Sequence, residues 1–438
     1  MQETERRVVE AIAERRDELV ALVTDLIAFD TTARHPQDPP RQEADLQAYL
    51  ADRLAARGAT TDVWEPEPAD VAGTRQVVAG LGFEGRPQLA ATFAGAGGGR
   101  SLLLNGHIDV VTPEPVDRWR SDPWRAEVRD GNLYGRGSCD MKGGVGAMVF
   151  ATEVLAELGV RLAGDVVVCT VTDEESSGAG GIAAVRHGVR ADAGIVTEPT
   201  GFDVWVACRG SLTPVITVEG RPGHAEMRQP HWRAGGAVNA IEKMGVLLDA
   251  VRRLREEWLT RPDKQHPYLA PGTIVPVIVR GGEWEVTYPA SCSLTCELMY
   301  LPGNADADGW GTAVEAELRE WIAAAASADP WLREHPPTVD SGQDIPPSEV
   351  PADHPLVEVV AGASADVGEP TRLGGLDSWY DAATFTRFGG TPCIGYGPRD
   401  IAWGHTIDEY VPVEDLVRCA QGLALAAMRW CGVAERPA

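Results

Sequence analysis

The chain has no apolar run that approaches the roughly 20 residues needed to span a membrane. Positive charge is also scarce, because 39 Lys and Arg stand against 65 Asp and Glu and the formal net charge is -26. Such a surface repels phosphate backbones and anionic lipids, so we expect neither nucleic acid nor a membrane as a partner. The charged segment at residues 1–16 contains no apolar signal-peptide region, and we expect a cytoplasmic protein.

Two common site signatures are also missing. The 8 cysteines are scattered, and the closest pair, Cys292 and Cys296, lacks the Cys-x-x-Cys spacing of a zinc knuckle. We therefore expect reduced cysteines in the core and no disulfide framework. Gly135-x-Gly137 resembles a nucleotide-binding turn, but the third glycine and the Gly-Lys-Ser/Thr of a phosphate loop are absent.

Three apolar runs, each typical of a buried strand, end in side chains that bind metals or move protons. Residues 101–106 lead to His107 and Asp109, residues 165–172 to Asp173-Glu174-Glu175, and residues 193–197 to Glu198. Predicted helices alternate with these runs, which indicates a mostly parallel sheet whose ligands gather beyond the carboxyl ends of its strands. Each group alone could be explained as a cap of a strand or helix or as a solvent-exposed turn. Three such groups together indicate one shared functional site.

Further candidate ligands occupy similar positions. Asp140 lies in a glycine-flanked loop before an apolar helix, where it could also be an N-cap, and His405 follows a short strand at 392–396. Imidazoles with carboxylates suit Zn²⁺ and could also hold Mn²⁺ or Co²⁺, and five ligands suggest two ions that share a bridge. Because strand side chains alternate, we expect the Asp109 carboxylate to hold the second ring N–H of His107.

The pattern changes after Gly210. Residues 212–218 alternate as one half-buried strand, and helix signals at 234–258 and 310–327 enclose β-prone runs at 273–280 and 286–301. This order is typical of a ferredoxin-like α+β module inserted into another domain, and 438 residues are too many for one ordinary core. We predict one catalytic domain formed by residues 1–208 and 347–438, with an inserted domain at 209–346.

Six motifs resemble, in order, those of the dinuclear-zinc amidohydrolase and exopeptidase family. That family includes acetylornithine deacetylase, succinyl-diaminopimelate desuccinylase, aminoacylase and glutamate-releasing carboxypeptidases. The motifs are His107-Ile-Asp109, Gly137-Ser-Cys-Asp140-Met-Lys-Gly-Gly, Asp173-Glu174-Glu175, Thr197-Glu198-Pro199, Gly223-His224-Ala and Gly404-His405-Thr-x-Asp-Glu409. The resemblance covers nearly the whole chain and implies a mostly parallel-sheet, zinc-exopeptidase-like α/β catalytic domain with an inserted α+β lid and dimerisation domain.

The resemblance also implies a role for each matching residue. Two Zn²⁺ ions would be held by two sets of ligands that share Asp140 as a bridge, His107-Asp140-Glu198 and Asp140-Glu175-His405. Asp109 would orient His107, and Glu174 would be the general base that takes a proton from the attacking water and passes it to the departing amine. His224 would reach across a homodimer interface to help hold the oxyanion.

The function we expect is hydrolysis of a linear amide in a small N-acylated substrate, by an N-acyl amino acid or N-acyl amine deacylase resembling acetylornithine deacetylase. A dipeptidase or carboxypeptidase of the same family is an alternative. A non-catalytic metal-binding dimeric scaffold is another, although a scaffold has no use for a base such as Glu174.

Substrate recognition is expected to depart from the usual arrangement of the family. Val286 and Met299 stand where many members carry an asparagine and an arginine that contact a substrate carboxylate. We therefore do not expect a free α-carboxylate to be bound in the usual way. Trp379 or Trp403 is expected to line a pocket for a bulky or aromatic part of the substrate.

Overall fold

A computed structural model describes residues 1–33, 39–77 and 80–434. The chain divides into two compact units. The first comprises Met1–Ala207, Glu349–Gly375 and Tyr380–Ala438, and the second comprises Cys208–Ser348 and Leu376–Trp379. The sequence-based division cuts the chain after residues 208 and 346, and it does not include the short return of residues 376–379 to the second unit.

A nine-stranded sheet forms the centre of the first unit. Its strands, in spatial order, are Thr60–Trp64, Gln88–Phe93, Val166–Val171, Leu102–His107, Ala193–Val196, Cys393–Gly395, Val204–Cys208 and Ser348–Glu349, with Leu373–Leu376 also paired to Val204–Cys208. The four strands from Val166–Val171 to Cys393–Gly395 are parallel. Their carboxyl ends therefore meet at one edge of the sheet, as the alternation of strands and helices predicted.

Eight α-helices accompany this sheet in the described part of the first unit. They are Glu3–Glu14, Arg16–Ile27, Glu43–Ala55, Lys142–Glu157, Ala179–His187, Pro355–Asp366, Ala382–Arg387 and Val413–Cys431. Lys142–Glu157 is almost wholly buried because most of its residues are apolar or small, and its buried Glu153 pairs with Arg53. A small antiparallel sheet of Glu127–Arg129, Asn132–Tyr134 and Tyr410–Pro412 completes the unit.

The second unit contains a six-stranded antiparallel sheet. Its strands are Gly210–Leu212, Val215–Glu219, Thr273–Gly281, Ser291–Tyr300, Thr338–Asp340 and Asp344–Ile345, and its helices are Ala240–Trp258, Thr312–Ala328 and Pro330–Glu334. Ser291–Tyr300 alternates between buried and more exposed residues, so one face of the sheet packs into the core. The single strand predicted at 212–218 is wrong: Pro214, which has no N–H to donate, separates two strands.

All eight cysteines, each within the described ranges, are buried, and none of them forms a disulfide. No helix among the residues that the structure describes is both long enough and apolar enough to cross a membrane.

Candidate metal centre

The first unit brings seven of the eight predicted site residues together at the carboxyl ends of its parallel strands. His107 ends one strand, the pair Glu174 and Glu175 follows the next, and Glu198 follows a third. The other members are Asp109, Asp140 and His405. Residues far apart in sequence meet here because the loops after parallel strands all lie at one edge.

Asp140 faces both histidines. Its Oδ1 lies 3.3 Å from Nε2 of His107, and its Oδ2 lies 3.3 Å from Nε2 of His405. Glu198 Oε1 is 3.8 Å from His107 Nε2, and Glu175 Oε1 is 3.1 Å from His405 Nε2. The side chains thus form two overlapping donor groups that share Asp140, and within each group the ligand atoms lie within 4.8 Å of one another.

The chemistry of these donors fits a pair of divalent metal ions. Imidazole nitrogen and carboxylate oxygen are common ligands of first-row divalent metals. Glu198 Oε1 is also buried without a hydrogen bond from any described residue. A buried acceptor of this kind is costly unless another group satisfies it, and a cation held with His107 and Asp140 would do so.

Burial, neighbouring charges and hydrogen bonds together shift the pKa values of the two histidines and of Asp140. Hydrogen bonds to Asp140 and Glu175 raise the pKa of His405 to about 10. Burial lowers the pKa of His107, but the surrounding carboxylates together raise it well above its ordinary value. Burial would raise the pKa of Asp140, but hydrogen bonds from both histidines lower it. Without metal, the His405 imidazole is therefore protonated at neutral pH and offsets part of the negative charge of the acids.

Burial and the repulsion between neighbouring carboxylates raise the pKa of the three glutamates, whereas the pKa of Asp140 is lowered. Burial, followed by the charge of Asp140, raises the pKa of both Glu198 and Glu175, most strongly that of Glu198. Burial also raises the pKa of Glu174 well above its ordinary value, against the opposing charge of His107. Crowded acids of this kind favour the binding of cations, which remove the repulsion.

The contact expected between His107 and the Asp109 side chain is not the one that the structure shows. His107 Nδ1 lies 2.8 Å from the backbone carbonyl oxygen of Asp109 and 3.8 Å from its carboxylate Oδ1. The Asp109 carboxylate instead accepts the backbone N–H groups of Glu174, at 3.2 Å, and Glu175, at 3.1 Å. Alternation along a strand predicts the shared face correctly, but the strand ends at His107 and the carbonyl of Asp109, not its carboxylate, meets the ring.

Glu174 lies beside the donor groups without belonging to either of those found among the described residues. Its Oε2 is 3.8 Å from Nε2 of His107, and its side chain is nearly buried. A ligand's lone pair is committed to its metal, whereas a neighbouring carboxylate is free to accept and return a proton.

Sequence reasoning gave no role to Glu409 and Arg136, which contact the loop that carries Asp140. Glu409 accepts the backbone N–H of Asp140, and Arg136 pairs with Glu409. The available signals were weak: an acid at the end of the His405 motif, and an arginine between two glycines.

His224 belongs to the second unit, where it is exposed in a loop and pairs through its backbone with Thr287. Trp379 is also in that unit. Trp403, in the first unit, is 43% exposed, and the Arg399 guanidinium carbon lies 4.5 Å from its ring centroid. The roles expected for these three side chains stay predictions.

Two donor groups that share an aspartate, with an uncommitted glutamate beside them on a parallel α/β sheet, define a hydrolase that cleaves C–N amide bonds with the help of metal ions. The chain belongs to peptidase family M20/M25/M40, whose model matches residues 103–429. This confirms the family, the fold class and the enzyme class predicted from the motifs.

Two relatives match over nearly their full length. N-formyl-4-amino-5-aminomethyl-2-methylpyrimidine deformylase of Halalkalibacterium halodurans is 28% identical over 438 residues, covering 96% of each chain. Acetylornithine deacetylase of Myxococcus xanthus is 31% identical over 417 residues, covering 94% of this chain and 98% of the relative.

Solved structures share the fold at lower identity. Aminopeptidase PepT from Bacillus cereus superposes with a TM-score of 0.69 at 19% identity, covering 94% of this chain and 98% of its own. The YXEP protein of Bacillus subtilis, described as a dinuclear metal binding peptidase, gives a TM-score of 0.64 at 12% identity, covering 96% and 100%. At these identities the likeness concerns the fold alone.

Proposed function

We propose that this protein is a deacylase that removes a small acyl group from the nitrogen of an amine or amino acid. The observation that carries the proposal is Glu174, a nearly buried carboxylate beside two donor groups and outside both. The two relatives described above, at 28% and 31% identity, are named a deformylase and a deacetylase, and both remove acyl groups from nitrogen.

In this proposal two Zn²⁺ ions, with Co²⁺ or Mn²⁺ as possible substitutes, are held by the two groups around Asp140. His107 and Glu198 complete one group, and Glu175 and His405 complete the other. When bound, such ions polarise the amide carbonyl and stabilise the negative charge that develops on its oxygen. The description of the Bacillus subtilis YXEP protein supports a pair of ions.

The remaining steps belong to the chain's own residues. Glu174 takes a proton from the attacking water and gives it to the departing nitrogen. The Asp109 carboxylate holds the Glu174 backbone N–H and thereby orients the base. As the family resemblance implies, His224 of the partner subunit would add a hydrogen bond to the developing oxyanion across the proposed dimer interface.

A substrate without a free α-carboxylate fits this chain best. Val286 offers only an apolar side chain, and its carbonyl oxygen already accepts the Ala225 N–H at 2.8 Å. The thioether of Met299 cannot pair with a carboxylate. We therefore propose an N-acylated amine as the preferred substrate, with Trp403 available to stack against a planar amine portion.

A substrate panel tests the proposal. N-formyl, N-acetyl and N-succinyl derivatives of amines and of amino acids would be compared with dipeptides by identifying the released products. We expect the highest kcat/KM for an N-acylated amine, and a kcat lowered by about 10²–10⁴-fold for the Glu174→Gln variant on that substrate. Faster release of amino acids from dipeptides would establish the peptidase alternative instead, and no hydrolysis of any amide would favour the scaffold.

We also propose that the second unit forms a homodimer with a second copy of this chain. Among the described residues, Thr273–Gly281 pairs only with Ser291–Tyr300 and leaves its other edge open. Val277 is 54% exposed and Val279 is 52% exposed along that edge. A long apolar edge strand pairs readily with another strand, and two identical copies can pair antiparallel about a twofold axis.

A further inference from the structure

One buried carboxylate joins the two loops that carry Asp140 and His405. Glu409 lies four residues after His405, and its side chain is fully buried. Its Oε1 accepts the backbone N–H of Cys139 at 2.8 Å and that of Asp140 at 3.0 Å. Its backbone carbonyl oxygen accepts the N–H of Gly135 at 3.1 Å. The two loops are therefore tied together through both the side chain and the backbone of one residue.

Arg136 completes the arrangement from the other side of Glu409. Its Nη1 donates to Glu409 Oε2, and its Nη2 donates to the carbonyl oxygen of Thr112 at 3.2 Å. The guanidinium carbon lies 5.1 Å from the centroid of the Trp119 ring, and the side chain is buried. A buried acid that accepts two N–H groups and also pairs with a fixed arginine has little freedom to move.

The two loops also pack too closely for a side chain between them. A Cβ at Gly404 would lie 3.1 Å from both Cβ and Oδ2 of Asp140. A side chain before His405 would therefore crowd the candidate bridging ligand and require one of the two loops to move by a few tenths of an ångström. A shift of either loop would therefore change the position of the other.

We propose that Glu409 is a positioning residue that sets the geometry of the donor group formed by Asp140, Glu175 and His405. This inference rests on the proposed role of those residues as metal ligands. Two of the three, Asp140 and His405, stand on the loops that Glu409 joins. In the other group only Asp140 does so, because His107 ends a strand of the sheet and Glu198 follows another.

The consequence is an asymmetry between the two ions. Loss of the Glu409 contacts should weaken the ion held by Asp140, Glu175 and His405 more than the ion held with His107 and Glu198. Outer hydrogen-bond partners of metal ligands are typically worth about 10–100-fold in metal affinity. A merely structural role for Glu409 would lower stability without this preference for one ion.

The test titrates metal-free protein with Zn²⁺ and with Co²⁺ in competition with a chelator, for the wild type, Glu409→Gln and Glu409→Ala. Glu153→Gln is a matched control, because Glu153 is also fully buried and pairs with an arginine, Arg53, at 2.7 Å. We expect Glu409→Ala to bind one ion almost normally and the second about 10–100-fold more weakly. Glu409→Gln, which keeps one acceptor oxygen, should weaken the same ion by a smaller factor. Glu153→Gln should bind both ions normally even where its Tm falls.

The inference would be overturned if Glu409→Ala bound both ions with wild-type affinity, or if its affinity for both ions fell by the same factor. Arg136→Lys is the second probe if both Glu409 variants fail to fold: it keeps the charge but loses the forked geometry, and it should weaken the same ion by a smaller factor. Failure of the wild type itself to bind two ions would instead refute the proposed metal centre.

Discussion

The orientation of His107 depends on the backbone of Asp109, since Nδ1 of the ring lies 2.8 Å from the Asp109 carbonyl oxygen. The Asp109 carboxylate is therefore available for the backbone N–H groups of Glu174 and Glu175. The side chain thus acts on the loop that carries the proposed base, whereas the main chain acts on the ligand. Side-chain substitutions at residue 109 should separate these two effects.

Asp109→Ala is expected to lower kcat about 10–100-fold while the His107 donor group keeps its metal. The variant retains the carbonyl that orients His107 but leaves two partly buried N–H groups without their acceptor. Asp109→Asn, which keeps one acceptor oxygen, should fall between the wild type and the alanine variant. Metal content and kcat would be measured on the same samples. Loss of metal with an unchanged kcat per loaded site would contradict this division of roles.

Glu174 and Glu175 provide a matched pair of adjacent substitutions. Glu174→Gln should reduce kcat by about 10²–10⁴-fold without loss of metal, because it removes the proton acceptor and no ligand. Glu175→Gln should release one ion, because it weakens the group that contains Asp140 and His405. Elemental analysis beside steady-state kinetics distinguishes the two results. If Glu174→Gln were the variant that lost metal, the assignments of base and ligand would have to be exchanged.

Metal binding should release a proton from His405. The pKa of this ring is raised from 6.5 to about 10 in the metal-free protein, chiefly by its hydrogen bond to Asp140, so the ring is protonated at pH 7. A metal binds the neutral ring, and affinity should therefore increase with pH up to about 10. In the metal-free protein, the same shift contributes stability that is present below pH 6.5 and is lost as pH rises through about 10.

Calorimetric titration in buffers of different ionisation enthalpy measures the released proton. His187→Asn is a suitable control, because His187 pairs with Asp62 at 2.9 Å and belongs to neither donor group. We expect the control to release as many protons as the wild type. His405→Asn should release fewer, and an unchanged number in that variant would place the titrating group elsewhere.

The sequence was most informative where a physical rule linked position to neighbourhood. Apolar strands that end in acids predicted the parallel sheet and the convergence of His107, Glu198 and the Glu174-Glu175 pair at one edge. The sequence could not show whether the carboxylate or the carbonyl of Asp109 contacts the imidazole. The alternation of side chains predicts which face of a strand a residue lies on, but not which of its atoms makes the contact. The pairing of Arg136 with Glu409 joins residues 273 positions apart and leaves no local pattern.

The exposed edge of the second unit predicts a dimer that a single charge should disrupt. Val279→Lys places a charge on the open edge of Thr273–Gly281, and we expect it to shift the protein to monomers. Val128→Lys is the control, because Val128 is similarly exposed but lies in the first unit. Sedimentation velocity on the three proteins measures the outcome. A monomeric wild type, or a Val279→Lys variant that stays dimeric, would contradict the proposed interface.

The close packing of helix Lys142–Glu157 gives a last prediction, which concerns Gly144. A Cβ there would lie 2.0 Å from the carbonyl oxygen of Thr197, the residue before Glu198. A backbone oxygen cannot rotate away as a side chain can, so Gly144→Ala must displace the helix or the strand end and should cost about 1–3 kcal/mol of stability.

Gly245→Ala is the matched control, because Gly245 lies in helix Ala240–Trp258 and a Cβ there would meet no described heavy atom within 4 Å apart from its chain neighbours and the backbone of its own helix. Alanine at that position should stabilise the protein by about 0.5–1 kcal/mol, since glycine loses more backbone freedom on folding. Urea unfolding measures the free energy of unfolding of both variants, which should fall for Gly144→Ala and rise for Gly245→Ala. A Gly144→Ala variant as stable as the wild type would mean that the contact with Thr197 relaxes without cost, and the metal affinity of the Glu198 group should then be unchanged as well.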